Sequence, residues 1–410
     1  MAQAVSRNEL FETLPVPVAL RRMIVPAAVS QIIVLIYNMA DTFYIGRTNN
    51  PYMLAGASLI LPVFNMLLCL SSLAGIGGGT LISWLLGAGQ PEEARKVSAF
   101  SFWLAVTLSL AFSVGLGVGM TPALTFLGAG ENIFLYARQY AFCVIVLGAV
   151  PTVLSNVLAH LVRSVGISRE AGFGITLGAV LNIALDPVFM YLLLPDGQQV
   201  LGVGVATLLS NCVACGYFLV VLWRIRQTSV LTPDPRTGLP QPRNMAAVFG
   251  VGVPSAVASL LFDLDYVVID KLMVGYSEVA LAAIGIVLKV ERLPLNVGIG
   301  ICQGMVPLVA YNCGSGNHKR MNRVIRLSLA CGLVVAAVSI LLYQSFAPGI
   351  VGGFISDGLT VALATDFLRV RILATPLMFL SFFTVYIFQG FAGKDSPCAK
   401  PLAAPWITAA

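Results

Sequence analysis

Charge is what this chain has least of. Only 10% of its 410 residues are Asp, Glu, Lys or Arg, against roughly 25% in an ordinary soluble domain. That excludes a body bathed in water on all sides. Histidine is scarcer still: His160 and His318 stand too far apart to build a metal site. No nucleophile, base and acid occur together, so an enzyme is not expected. Most of the eight cysteines lie inside apolar runs, where a thiol packs as a small hydrophobe. Cys212 and Cys215 have CxxC spacing but no second pair, so zinc and redox chemistry are not expected. The opening MAQAVSRNELFETLP is polar and mixed in charge, unlike a cleavable secretory signal. The formal net charge of +6 sits on loop lysines and arginines and does not form a nucleic-acid surface.

What the chain has instead is apolar length, with 58% of residues hydrophobic. Ten runs approach or exceed the ~20 residues a bilayer needs. They cover roughly 20–46, 52–86, 96–120, 134–159, 171–194, 201–226, 245–274, 279–311, 323–347 and 362–390. The second and eighth are over-long and must tilt or extend beyond the membrane. GIGGG (Gly75 to Gly79) falls inside such a run. It suits close helix packing, and it lacks the preceding strand of a phosphate loop. The expected class is an all-α polytopic membrane protein.

Loop charge orients it. With the N-terminus inside, 17 of the 24 Lys and Arg fall on cytosolic segments, Arg163 and the His318–Arg320 cluster among them. That satisfies the positive-inside rule. The expected location is a plasma or inner membrane, crossed many times. Residues 227–243, QTSVLTPDPRTGLPQPR, are Pro-rich and polar, and read as a cytosolic linker between two halves.

The halves repeat. Val25-Pro26, Asp41, Gly46, Leu54 and Gly87 return as Val253-Pro254, Asp270, Gly275, Leu281 and Gly314, at offsets of 227 to 229. Six helices per repeat make the two copies parallel, related by an axis along the membrane normal, with the pathway between them. The expected division is an N-terminal lobe at 1–226, the linker at 227–243, a C-terminal lobe at 244–390 and a tail at 391–410.

A charge mid-membrane costs on the order of 3 kcal/mol or more, so an acid there needs a reason. Asp41 is the one acid of the first run, with Tyr37 one turn before it. Asp186, in the fifth run at similar depth, has Asn182 one turn before it and Pro187 after it. A carboxyl poised between its charged and neutral forms exchanges protons with water and also binds cations, so protonation and cargo compete. Hydrogen bonds from Asn and Tyr would serve equally to hold two purely structural acids. Pro26 kinks its helix, either as a hinge coupled to Asp41 or as a fixed bend for packing. The second half holds Asp263, Asp265 and Asp270 in the seventh run and Lys289, Glu291 and Arg292 in the eighth. These are read as a structural charge network or as a second cation site. Counted from those two runs, four acids face two bases, a surplus of two negatives.

VPAAVSQIIVLIYNMADTFYIG, LLGAGQPEEAR, VLNIALDPVF, GVATLLSN, GVPSAVASLLFDLD and PLVAYNCGSGN resemble the multidrug and toxic compound extrusion (MATE) family, in the family's order and over about residues 20 to 390. Phe262, standing eight residues after Pro254 where an acid would otherwise be, is similar to the DinF-like branch. The resemblance implies a secondary antiporter that exports cationic or amphipathic compounds in exchange for H⁺ or Na⁺ by alternating access. It implies a monomer whose partners are small organic cations and membrane lipid, with no nucleic acid and no cofactor beyond the coupling ion. It also implies that the acid of the first helix and the Asn–Asp pair of the fifth line a cavity in the first lobe, joined by Asn156 and Thr207. The family pattern continues after QGFAGK (Gln389 to Lys394) into two more spans. This chain gives DSPCAKPLAAPWITAA instead, so a second lobe lacking its last two helices is expected. Two rival readings follow: a flippase for lipid-linked precursors, against which the acidic cavity argues, and an inactive truncated membrane protein.

Overall fold

Long apolar runs fold as helices because nothing in lipid satisfies an extended backbone. The computed structural model describes residues 9–48, 50–195, 197–355 and 357–391, apart from the side chains at 46, 263, 265–267, 270, 271, 274, 278 and 282. A π-helical turn (Glu9–Thr13) precedes α1 (Val16–Gly46), α2 (Pro51–Gly87), α3 (Pro91–Val118), α4 (Met120–Phe126) and α5 (Glu131–Ala141). A second π-turn (Phe142–Leu147) leads to α6 (Ala149–Ser164), α7 (Ser168–Pro187) with a π-helical extension (Val188–Leu193), and α8 (Gln199–Ile225). After a 3₁₀ turn (Pro235–Thr237) come α9 (Pro242–Val274), α10 (Glu278–Gly314), α11 (His318–Gly352), α12 (Gly358–Ile372) and α13 (Thr375–Gly390). No strand occurs among the described residues.

Among the described residues, eight helices are long and apolar enough to cross a bilayer alone. Two further spans are broken: Glu131–Leu147 meets Ala149–Ser164 at 51°, and Gly358–Ile372 meets Thr375–Gly390 at 48°. Pro151 and Pro376 lie just past the breaks, where a missing N–H and a clashing ring interrupt the ladder. Counted this way the spans are ten, in the expected places. The over-long α2 and α10 have 37 residues each, about 55 Å at 1.5 Å per residue.

Alternating spans put the start of α1 and the α2–α3, α6–α7, α8–α9 and α10–α11 turns on one face, here the proximal side. Gly89 and Gly316 occupy matching positions in two of those turns, both with positive φ, at 71° and 72°. On this side the repeats touch backbone to backbone. A Cβ on Gly87 would overlap Tyr311 O, and one on Gly314 would overlap Trp84 O. Gly77 and Gly252 meet Val248 and Leu73 in the same way, and Gly300 and Gly304 meet Ala28 and Ile24. The glycines of GIGGG therefore pack helices, as expected. At the distal ends, Ile36, Met39 and Phe43 of α1 and Leu264, Val268 and Leu272 of α9 are exposed.

Three side-chain clusters fill the interior. One runs through α2, α3, α5, α6 and α8. A second joins Leu10, Phe11 and the start of α1 to α10, α11 and α13, and the third joins α10, α11 and α12. The first helix thus starts among second-repeat helices and continues along α7. Phe11 stacks on Tyr311 with centroids 4.6 Å apart, and the Tyr311 hydroxyl donates to Glu12 Oε1 at 2.5 Å. The linker is more than a tether. Thr232 N donates to Ser98 Oγ at 3.1 Å, Trp103 Nε1 to Pro233 O at 2.9 Å, and Gln241 N to Glu93 Oε2 at 3.2 Å, strapping it along α3.

One of the counted loop charges is buried within a helix. Arg163, assigned above to a cytosolic segment, is 2% exposed. Helix α6 runs on to Ser164, so its last turn faces the interior.

Candidate functional site

Two contacts set the register of α1 on α7. Ser168 Oγ donates to Met23 O at 2.7 Å, and Gly172 lies against Pro26 with no room for a Cβ. Eighteen residues then separate Met23 from Asp41, and eighteen separate Ser168 from Asp186. Eighteen residues are five turns at 3.6 per turn, about 27 Å of rise. Each acid therefore returns to the face its helix presented at the contact, at the same height. The two carboxyls meet side chain to side chain.

The acids are short of donors. Asp186 is 0% exposed. Its two carboxyl oxygens, Asp41 Oδ1 and Asn182 Oδ1 are buried without a hydrogen-bond partner. Asn182 Nδ2 faces the other way and donates to Thr207 Oγ1 of α8 at 3.1 Å. Tyr37 on α1 and Tyr140 on α5 lie within electrostatic reach of both carboxyls. Tyr140 is not among the sequence-read residues; a single tyrosine in an apolar run carries no cost that marks it out. Unsatisfied buried acceptors are expensive. Two carboxyls that meet in this way suit a proton shared between them, or a small cation. Among the described residues no group of three or more His, Cys, Asp or Glu could hold a metal ion.

The remaining residues divide. Asn156 donates to Thr152 O of its own helix at 2.9 Å, and the Thr152 hydroxyl accepts from Asn211 Nδ2 of α8 at 2.9 Å. No hydrogen bond ties Asn156 to the acids. Pro26 sits inside a helix that continues unbroken past it. In the second repeat, Asp263, Asp265 and Asp270 lie on α9, with side chains outside the described residues. Lys289 and Arg292 are exposed, and Asn296 Nδ2 donates to Arg292 O at 2.8 Å. Glu291 is 2% exposed and pairs with Arg371 of α12. The two-negative surplus omitted this arginine, because it comes from a helix two spans further on. Phe262 stacks on Phe382 with centroids 3.9 Å apart.

The fold has close counterparts among solved structures. It superposes on a MATE crystal structure in complex with MaD3S with a TM-score of 0.88, at 22% identity, covering 97% of this chain and 87% of that one. Against an outward-facing multidrug resistance MATE family transporter of the MOP superfamily the TM-score is 0.86, at 21% identity, covering 95% and 85%. In sequence, the multidrug export protein MepA of Staphylococcus aureus strain MRSA252 is 28% identical over 380 residues, which are 92% of this chain and 82% of that protein. MepA of Staphylococcus saprophyticus is 28% identical over 365 residues, 89% of this chain and 79% of that protein. The MatE family matches twice, over residues 26–188 and 254–396. The two matches start at the two prolines of the repeat, 228 residues apart. This multi-pass, all-helical membrane protein belongs to the MatE family.

Proposed function

We propose that the chain is a secondary antiporter that exports cationic or amphipathic compounds in exchange for H⁺. The observation that carries this is the buried meeting of the Asp41 and Asp186 carboxyls, three of whose oxygens have no donor. A proton between the carboxyls, or a cationic cargo, satisfies the same oxygens, so the two exclude one another. Exclusion of that kind is what couples opposite fluxes. Multidrug export by the MepA relatives supports the cargo class.

The halves, 1–226 and 244–390, rock about the strapped linker. The arrangement seen, sealed proximally by glycine contacts, is one end of the cycle. With the N-terminus and most loop cations in the cytosol, that end faces outward, where the carboxyls take up protons. Closing the distal side and parting the proximal glycines delivers them inside.

The test uses the full chain in proteoliposomes loaded with a fluorescent organic cation, under an imposed ΔpH or ΔNa⁺. Efflux should follow ΔpH, and Asp41→Asn should abolish it. Efflux driven by ΔNa⁺ alone would replace the proton by sodium. Undiminished coupled efflux in Asp41→Asn would sink the mechanism.

A further inference from the structure

A second polar pocket lies away from the acids, at the proximal seal. It is a cavity of about 30 Å³ walled by Ile76, Gly79 and Thr80 of α2, His160 and Arg163 of α6, Gln303 and Val306 of α10, and Tyr386 and Gln389 of α13. Its walls are repeat mates: 76, 79 and 80 return as 303, 306 and 307, at an offset of 227. The cavity therefore sits on the axis relating the two halves, and both halves enclose it.

Its charge is one-sided. Arg163 is 2% exposed, and its Nε and Nη2 are buried without a hydrogen-bond partner. A buried guanidinium stays charged and costs several kcal/mol unless something negative answers it. No Asp or Glu lines the cavity among the described residues. The repeat offers none either, since position 390, the mate of Arg163, is a glycine. The other polar walls include hydroxyl, imidazole and amide groups: Thr80, His160, Tyr386 and Gln389, the last with an Nε2 able to donate and an Oε1 buried without a partner. Gln303 is held in place by Gln31 of α1, whose Nε2 donates to its Oε1 at 3.1 Å.

We propose that this cavity binds one small monovalent anion of chloride size, held by Arg163 on the symmetry axis. Its volume exceeds the ~10–15 Å³ that one water needs and excludes organic anions. Because both halves contribute walls, the anion binds the proximally closed arrangement and must leave when the seal parts. It acts as a removable bond between the repeats, separate from the coupling pair at Asp41 and Asp186.

The experiment measures the thermal unfolding midpoint of the detergent-purified full chain, titrated with sodium chloride, bromide or gluconate at constant ionic strength. Chloride and bromide should raise the midpoint saturably, and gluconate should not. ³⁵Cl line broadening by the protein should be reversed by bromide. Arg163→Gln should abolish both effects while leaving the midpoint in gluconate equal or higher. If that variant does not accumulate folded, Tyr386→Phe and Gln389→Leu together should weaken the chloride response at least threefold. Equal midpoints in chloride and gluconate would overturn the proposal. So would a chloride response that survives undiminished in Arg163→Gln, or in the Tyr386 and Gln389 double variant.

Discussion

Both repeats bury an acid in the membrane, and they treat it oppositely. In the first, Asp41 and Asp186 face each other across α1 and α7 with oxygens that no donor satisfies. In the second, Glu291 on α10 has Arg371 of α12 against it. A carboxylate clamped by a guanidinium has one stable state, because removing either partner strands a buried charge. Two carboxyls sharing a site have at least two, since a proton or a cation can satisfy them in turn. On the proposed function, the same scaffold makes a lock in one half and an exchanger in the other. What differs is whether a neighbouring helix supplies a base.

The sharpest break in that contrast is to remove one of the two facing carboxyls. Asp186→Asn keeps the volume and leaves Asp41 without its acidic partner. Coupled efflux in proteoliposomes should fall about a hundredfold, the ratio that ~2.7 kcal/mol of lost coupling produces. Downhill binding of the fluorescent cation should weaken less. If Asp186→Asn transports normally while Glu291→Gln does not, the roles of the two halves are reversed.

The second break acts on the lock. Arg371→Gln takes away the arginine paired with buried Glu291 and should destabilise the fold by about 3–5 kcal/mol, seen as a lower unfolding midpoint in detergent. The double change Glu291→Gln with Arg371→Gln should restore most of it, because no buried charge is left. Coupling to ΔpH should persist in the folded fraction of either variant. Loss of coupling in the stable double variant would make this pair part of the exchange chemistry.

These regions were unequally visible in the sequence. The ten spans were legible because apolar length is a one-dimensional property, and the repeat because Pro26, Asp41 and Gly87 have mates at a fixed offset. Asp41 and Asp186 stood out by cost alone. Their contact is also derivable, given that Met23 touches Ser168, from two equal runs of eighteen residues. The pairing of Glu291 was not legible. Its partner lies eighty residues away on α12, and only tertiary packing chooses between Arg371 and the nearer Lys289. The burial of Arg163 was not legible for a related reason. A cation at a helix end scores as a loop charge, while the direction of its side chain depends on α10 and α13. Tyr140 gave no signal, since a tyrosine is at home in a membrane helix whether or not an acid is beside it.

The smallest test probes what aims the exchanger. Thr207 is 6% exposed and accepts a hydrogen bond from Nδ2 of Asn182, one turn before Asp186. Thr207→Val keeps the shape and deletes the acceptor, which costs about 1 kcal/mol. Asn182 is then free to turn its amide, one turn away from Asp186 on α7. The unfolding midpoint should drop slightly, and the apparent affinity for the organic cation should fall about fivefold at fixed ΔpH, the scale of that same loss. Thr207→Ser keeps the hydroxyl and should restore affinity without restoring the methyl contact. A Ser variant as weak as the Val variant would mean that packing against α8, and not the Asn182 hydrogen bond, sets the geometry of the pair.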